Sequence, residues 1–142
     1  MKNFRAYALR LISIRARSEF ELRRRLSEKG ASSEQIEEII TSFKEAGLLD
    51  DAEFACDFVR SKTIRHWSWF RIEYTLKLEF KIADEIIEKA KKCYDEDEVM
   101  KYYIKKFIKK TDDYAYIRKY LYSRGFTREF INKVLDALTA QS

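Results

Sequence analysis

Apolar residues recur along this sequence at spacings of three and four positions, which is the pattern of helices with one buried face. Leu22 and Leu26 share such a face, and polar residues fill the positions between them. Ser18 with Glu21 predicts a capping box at the start of this helix, and Gly30 predicts a left-handed residue at its end. The pattern therefore predicts short helices joined by polar turns.

The same helix-turn-helix pattern occurs three times along the chain. Residues 22–36 align with residues 117–131 at a constant offset, so that Gly30 corresponds to Gly125. A middle copy lies about halfway between them, with one extra residue in its turn and Lys81 in place of the glycine. The middle turn therefore requires either a left-handed residue that carries a side chain or a different geometry.

A further helix is predicted before each pair, over about 4–15, 51–62 and 97–109. We therefore expect an all-α protein of three tandem three-helix repeats. A unit of this size is marginally stable alone, so the repeats should stack on one another. The predicted repeats occupy residues 1–49, 50–95 and 96–142.

The composition supports helices and an extended surface. Charged residues make up 37% of the 142 residues, proline is absent, and only three glycines occur, too few for the turns of a β fold. The formal net charge of +5 favours an anionic partner, with basic ends and a slightly acidic middle. The apolar runs are too short for a membrane span, so we expect a cytoplasmic protein.

The residues that could support catalysis are few. Cys56 and Cys93 are too far apart in sequence to indicate a disulfide framework, and we expect two reduced thiols. His66 is the single histidine, and a nucleophile–base pair with Cys56 is a weak alternative. We expect no enzyme activity, no metal site and no cofactor.

The basic residues are the stronger candidates for function, because they recur once per repeat and would form a stripe along the array. Such a stripe suits phosphates or an acidic protein groove, whereas the alternative is a solvated helix face paired with nearby glutamates. Trp67, Trp69 and Phe70 could stack on bases but are better explained as filling the joint between repeats, with the tyrosines of the third repeat as partly buried core. The candidate partner- or DNA-binding residues are Arg23, Arg24, Arg25, Lys29, Arg60, Lys62, Arg65, Arg71, Arg118, Lys119 and Arg124.

The start of the second repeat carries a motif formed by Leu49, Asp50, Asp51, Phe54, Ala55, Phe58 and Val59. This motif resembles the signature of the RecX family of recombination regulators. The resemblance extends over nearly the whole chain and implies a curved, elongated monomer. It implies binding to the RecA recombinase filament on single-stranded DNA and inhibition of its ATPase, strand-exchange and co-protease activities. The alternative is a sequence-independent DNA-binding helical module with no recombinase partner.

Overall fold

The computed structural model describes residues 3–140, and every regular element in this range is helical. A single 3-10 turn, Lys91–Cys93, follows the sixth helix. The α-helices are α1 (Phe4–Ile14), α2 (Glu19–Glu28), α3 (Ser33–Glu45), α4 (Asp51–Ile64), α5 (Trp69–Leu78), α6 (Asp84–Ala90), α7 (Glu96–Phe107), α8 (Tyr114–Ser123) and α9 (Arg128–Ala140).

The buried residues form three separate cores, one for each successive set of three helices. Leu22, Ile72 and Ile117 hold the same position in α2, α5 and α8, and all three are fully buried. One turn later, the corresponding leucines of the three helices are also fully buried. This equivalence confirms the all-α fold of three-helix repeats, while the exact repeat boundaries stay a prediction.

The accessible surface also bears on the shape of the molecule. It measures 9505 Å² for a chain of 17.1 kDa. A compact monomer of this mass would expose only about 7,800 Å². The excess agrees with an extended array of small cores, and the predicted curvature stays a prediction.

The helix ends follow the predicted chemistry at most positions. Gly30 and Gly125 have φ of 99° and 90°, and Lys81 takes the same left-handed region at 53°. Ser32 and Gln35 form a complete capping box at the start of α3. The middle turn therefore keeps the left-handed geometry and places a lysine in a conformation that favours glycine.

The predicted capping box at Ser18 is only half correct. The Ser18 hydroxyl accepts from the Glu21 amide at 3.1 Å, but the Glu21 carboxylate does not reach back to the cap. It lies instead 2.6 Å from the Arg15 guanidinium and 3.3 Å from that of Arg17. Arg17 is buried, and a buried guanidinium requires a counter-charge more than the cap requires a second hydrogen bond.

The prediction of two reduced cysteines was wrong, because Cys56 and Cys93 are joined by a disulfide. The fold brings α4 against the turn that follows α6, which places their Cα atoms 5.7 Å apart. That separation lies within the range of ordinary disulfides. A sequence separation of 37 residues carries no information about this proximity.

Candidate partner-binding surface

Three hydrogen bonds hold the loop between α4 and α5, and two of them join the second repeat to the third. The Tyr103 hydroxyl donates to the His66 carbonyl at 3.1 Å, and the Tyr94 hydroxyl donates to the Trp67 carbonyl at 2.8 Å. The Ser68 hydroxyl donates to the Arg124 carbonyl at 3.0 Å. We call this contact between residues 66–68 and the third repeat the second joint.

Positive side chains lie on the aromatic rings that surround the second joint. The Arg71 guanidinium carbon is 3.5 Å from the centroid of the Trp67 ring, and the Lys62 ammonium is 4.5 Å from it. The Arg124 guanidinium carbon is 3.9 Å from the Tyr120 ring. At these distances each cation is attracted to the ring beneath it.

Lys106 contributes a fourth cation, 5.4 Å from the Tyr120 ring and 5.9 Å from that of Tyr102. We call the whole group the cation–aromatic surface. It consists of Lys62, Trp67, Arg71, Lys106, Tyr120 and Arg124.

The charge of this surface is not neutralised within the described part of the chain. Among residues 3–140, no carboxylate lies within 4.0 Å of the four cations. Partial burial lowers the pKa of Lys62, and the positive charges of Arg65 and Arg71 lower it further. The surface therefore carries a concentrated positive potential that favours an anionic partner.

Exposed aromatic rings continue the surface along α5. Phe70 is 60% exposed and Tyr74 is 55% exposed, with their ring centroids 6.1 Å apart. Together with Arg71, Ser123 and the Arg124–Gly125 turn, these rings line an open groove. A guanidinium whose face rests on a ring still presents its N–H edge, so this groove can bind carboxylates or phosphates beside apolar groups.

The basic residues of the first repeat have a different environment. Arg23 pairs with Glu37 and lies 3.8 Å from Glu19, and Arg24 lies 3.7 Å from Glu28. The hydrogen bond between Arg23 and Glu37 raises the pKa of the arginine and lowers that of the glutamate. The alternative of a solvated, ion-paired helix face therefore describes these two arginines.

The remaining candidates are scattered over the molecule. Arg60 lies 3.4 Å from Asp57 within α4, and Arg118 donates to Asn132 at 3.1 Å. Arg25 is half-buried, Lys29 lies 5.2 Å from the Tyr7 ring, and Lys119 is exposed on α8. The structure brings together Lys62, Arg65, Arg71 and Arg124 near the second joint. A continuous basic stripe stays a prediction.

The motif residues at the start of the second repeat cap a helix, link two repeats or pack in the core. The Asp50 carboxylate accepts from the Ala52 and Glu53 amides and so caps α4. Asp51 accepts from the Glu19 amide at 2.8 Å, which links the second repeat to the first, and burial raises its pKa. The apolar motif residues Leu49, Phe54, Ala55 and Val59 are buried, and Phe58 packs against Trp67 and Phe80.

Sequence reasoning missed Tyr120 and Lys106 as members of the cation–aromatic surface. The available signal is a spacing of four residues, because Trp67 precedes Arg71 and Tyr120 precedes Arg124 by this interval. The expectation that the tyrosines of the third repeat form partly buried core was wrong for three of them, and Tyr102, on α7, is 37% exposed. Tyr116 is 53% exposed and Tyr122 is 75% exposed, because both project from α8 away from the core.

The arrangement at His66 gives no nucleophile–base pair. Cys56 has no free thiol while it is bonded to Cys93, so it cannot act as a nucleophile in this form. The His66 ring is stacked on that of Tyr102 with centroids 3.5 Å apart, and burial lowers its pKa. Within residues 3–140 there is no group of three side chains placed to hold a metal ion. In the same residues no helix is long and apolar enough to cross a bilayer.

The three cores and their equivalent helices define the class of small all-α repeat proteins. Residues 5–42 match the sequence profile described as "RecX, first three-helix domain". The regulatory protein RecX of Prosthecochloris aestuarii is 31% identical over 92% of this chain and 90% of its own length. That of Thermotoga maritima is 35% identical over 93% of this chain and 82% of its own. The chain therefore belongs to the RecX family of regulatory proteins.

Solved structures show the same fold. The crystal structure of RecX from Lactobacillus salivarius superimposes with a TM-score of 0.84, at 20% identity, over 96% of this chain and 95% of that one. A second crystal structure, of a regulatory protein RecX, gives a TM-score of 0.64 and covers 98% of this chain and 66% of that one. The three-repeat architecture is therefore shared between chains whose sequences have diverged widely.

Proposed function

We propose that this protein is a non-enzymatic regulator that binds the RecA filament on single-stranded DNA. Binding inhibits or modulates the ATPase, strand-exchange and co-protease activities of RecA, and so affects DNA repair and the SOS response. The protein acts as a monomer in the cytoplasm. Its contact with single-stranded DNA is made through the filament.

The observation that carries this proposal, besides family membership, is the unneutralised charge of the cation–aromatic surface. Lys62, Arg71 and Arg124 have no carboxylate partner in the described chain, and the rings beneath them fix their positions. Fixed cations lose little side-chain freedom when they bind, and their N–H groups remain available to an anionic ligand. A filament offers such anions in its acidic side chains and in the phosphates of its DNA.

The first and third repeats extend this surface by their placement along the array. Each repeat presents its second helix with basic residues, so several weak contacts can act together on one filament. Contacts that are linked in one chain bind more strongly than their individual affinities suggest. We therefore expect Lys119 and the other exposed candidates to add affinity around the second joint.

The test measures ATP hydrolysis by RecA on single-stranded DNA as this protein is added. The double variant Arg71→Glu with Arg124→Glu should raise the half-inhibitory concentration at least about tenfold, since losing two charged contacts costs more than 1.4 kcal/mol. The matched control reverses two exposed lysines away from the joint, Lys89→Glu with Lys101→Glu, and keeps the same net charge. Helical content and thermal unfolding of both variants show whether they remain folded.

Three other results would each contradict part of the proposal. Equal losses in the two double variants would show that net charge, rather than the cation–aromatic surface, determines binding. Full inhibition by the joint variant would place the contact elsewhere. Strong salt-dependent binding to DNA without any effect on RecA would favour a DNA-binding module instead.

A further inference from the structure

The disulfide lies at the end of α6, the shortest α-helix of the middle repeat. The third helices of the outer repeats, α3 and α9, have 13 residues each, whereas α6 has seven. The N-cap residue of α6 is Ala83, which supplies no side-chain hydrogen bond, whereas Ser32 and Thr127 cap the other two helices. A helix this short and uncapped depends on tertiary restraints. The bond between Cys56 and Cys93 is such a restraint, because it ties the end of this helix to α4.

The residue after Cys93 connects the disulfide to the second joint. Tyr94 packs against both the second and the third core, and its hydroxyl donates to the Trp67 carbonyl. Its ring centroid also lies 5.7 Å from that of Trp69. Trp67 in turn supports the Arg71 guanidinium and the Lys62 ammonium. A restraint on Cys93 therefore acts through Tyr94 on Trp67, the ring that positions Lys62 and Arg71.

The disulfide lies close to the protein surface. Both cysteines are only half-buried. Cys93 lines an open depression together with Arg60, Lys92 and Asp95. An attacking thiolate needs a route to one sulfur atom, and this depression provides it.

We propose that Cys56 and Cys93 form a redox site that controls the binding strength of the cation–aromatic surface. In the oxidised form the disulfide holds the turn after α6 in place, so that Tyr94 and Trp67 fix Lys62 and Arg71. In the reduced form the turn and the end of α6 loosen, the joint loses its restraint, and the surface binds more weakly. This regulation rests on the proposed function for its effect on RecA, but not for its structural effect.

The chemical step is thiol–disulfide exchange with a dithiol. One thiolate of the dithiol attacks the Cys93 sulfur, which forms a mixed disulfide and releases the Cys56 thiolate. The second thiol of the dithiol, as its thiolate, then attacks the dithiol sulfur that is bonded to Cys93. This step closes the disulfide of the reagent and releases the Cys93 thiolate. The protein gains two electrons and two protons, and the dithiol becomes a disulfide. In a reducing compartment the protein bond forms only transiently, as it does in redox sensors.

The structural test uses the full chain, oxidised or treated with dithiothreitol, and measures amide hydrogen exchange. Reduction should expose two titratable thiols and accelerate exchange in α6, at Tyr94 and at the His66 and Trp67 amides, which are hydrogen-bonded in the structure. Amides of α2 and α3 serve as the internal control and should not change. The double variant Cys56→Ser with Cys93→Ser should exchange like the reduced protein and should not respond to dithiothreitol.

The functional test titrates the same preparations against RecA ATPase on single-stranded DNA. Reduction should raise the half-inhibitory concentration about fivefold or more, the lower end of ordinary coupling between two sites. If oxidised and reduced proteins exchange and inhibit identically, the redox proposal is overturned and the proposed function stands. If reduction changes exchange but neither form affects RecA, the proposed function fails while the structural coupling remains. If the two thiols stay unpaired under a mild oxidant such as diamide, Cys56 and Cys93 do not form a redox site and the redox proposal is overturned.

Discussion

At the scale of single residues, Gly125 shows how closely the second joint is packed. It has φ of 90°, and a Cβ atom built on it would lie 2.8 Å from the Ser68 hydroxyl oxygen and 3.4 Å from the Phe70 ring. Gly47 has a similar φ of 73°, but a Cβ atom there would meet nothing within 4 Å. The two glycines therefore share a backbone requirement and differ in the space around them.

We predict that Gly125→Ala destabilises the protein by about 2–3 kcal/mol and that Gly47→Ala destabilises it by about 1 kcal/mol. Both variants place a side chain in the left-handed region, which costs about 1 kcal/mol. Gly125→Ala must in addition displace Ser68, which weakens the hydrogen bond to the Arg124 carbonyl. Urea unfolding of the two variants measures the difference. Equal losses would show that Ser68 moves without cost and that the joint is loosely packed.

At the scale of elements, α6 departs from the pattern of the other two third helices. Its N-cap position holds Ala83, whereas the Ser32 hydroxyl accepts from the Gln35 amide at 3.1 Å in α3. The missing cap leaves backbone donors of the first turn without a side-chain acceptor. The disulfide and the buried Ile87 and Ala90 hold this helix on the second core.

We predict that Ala83→Ser stabilises the protein by about 1 kcal/mol, because a serine at this position can accept from the first-turn amides. Ala83 already has the extended conformation of an N-cap residue, with φ of −64° and ψ of 145°. Its counterpart variant, Ser32→Ala, should destabilise the protein by about the same amount. Thermal unfolding of the two variants should shift in opposite directions. A loss of stability in Ala83→Ser would mean that the first turn of α6 is not available for capping.

At the scale of the whole molecule, the hydroxyls of two tyrosines, Tyr94 and Tyr103, hold the loop where the second repeat meets the third. Burial raises the pKa of Tyr103 to about 12, and burial raises that of Tyr94 still further. Both hydroxyls donate to loop carbonyls, so the bonds exist only while the tyrosines are protonated. The stability that these groups contribute is therefore complete below the ordinary tyrosine pKa of about 10 and is lost as the pH rises above it.

We predict that the free energy of unfolding falls by about 2 kcal/mol between pH 10 and pH 12 on account of Tyr103. Tyr103→Phe should cost about 1 kcal/mol at pH 8, because it removes the bond to the His66 carbonyl, and should make the alkaline decrease shallower. Tyr122→Phe changes an exposed ring and should leave the pH profile as it is. Urea unfolding at a series of pH values tests both variants. An unchanged slope in Tyr103→Phe would mean that its hydroxyl ionises without opening the joint.

The predictable part of this molecule rests on local chemistry. Gly30 and Gly125 end their helices in the left-handed region, and Ser32 and Thr127 cap the helices that follow. The alignment of the repeats placed Lys81 at the glycine position of the middle turn and left two geometries open, and the structure shows the left-handed one. These features depend on side chains within four residues of one another, so the sequence displays them directly.

The unpredicted part depends on how the helices pack. Glu21 left its expected capping role because packing buries Arg17, four residues before it, and the buried guanidinium pairs with the Glu21 carboxylate. Lys106 joined the candidate surface because α7 and α8 pack so that one ammonium reaches the rings of both Tyr102 and Tyr120. The spacing of these residues does not show which side chains become buried or which helices meet, so only the packing of the helices reveals either change.

The sequence by itself determined the helical class, the threefold repetition, the left-handed turns and the family, because hydrophobic periodicity and cap residues act over short distances. Only the tertiary structure decided that Cys56 meets Cys93, that Arg23 and Arg24 are ion-paired, and that Lys62, Arg71 and Arg124 converge at one joint. The physical reason is that these contacts arise where separate helices meet. Their geometry is set by how the cores stack and not by the order of residues along any one helix.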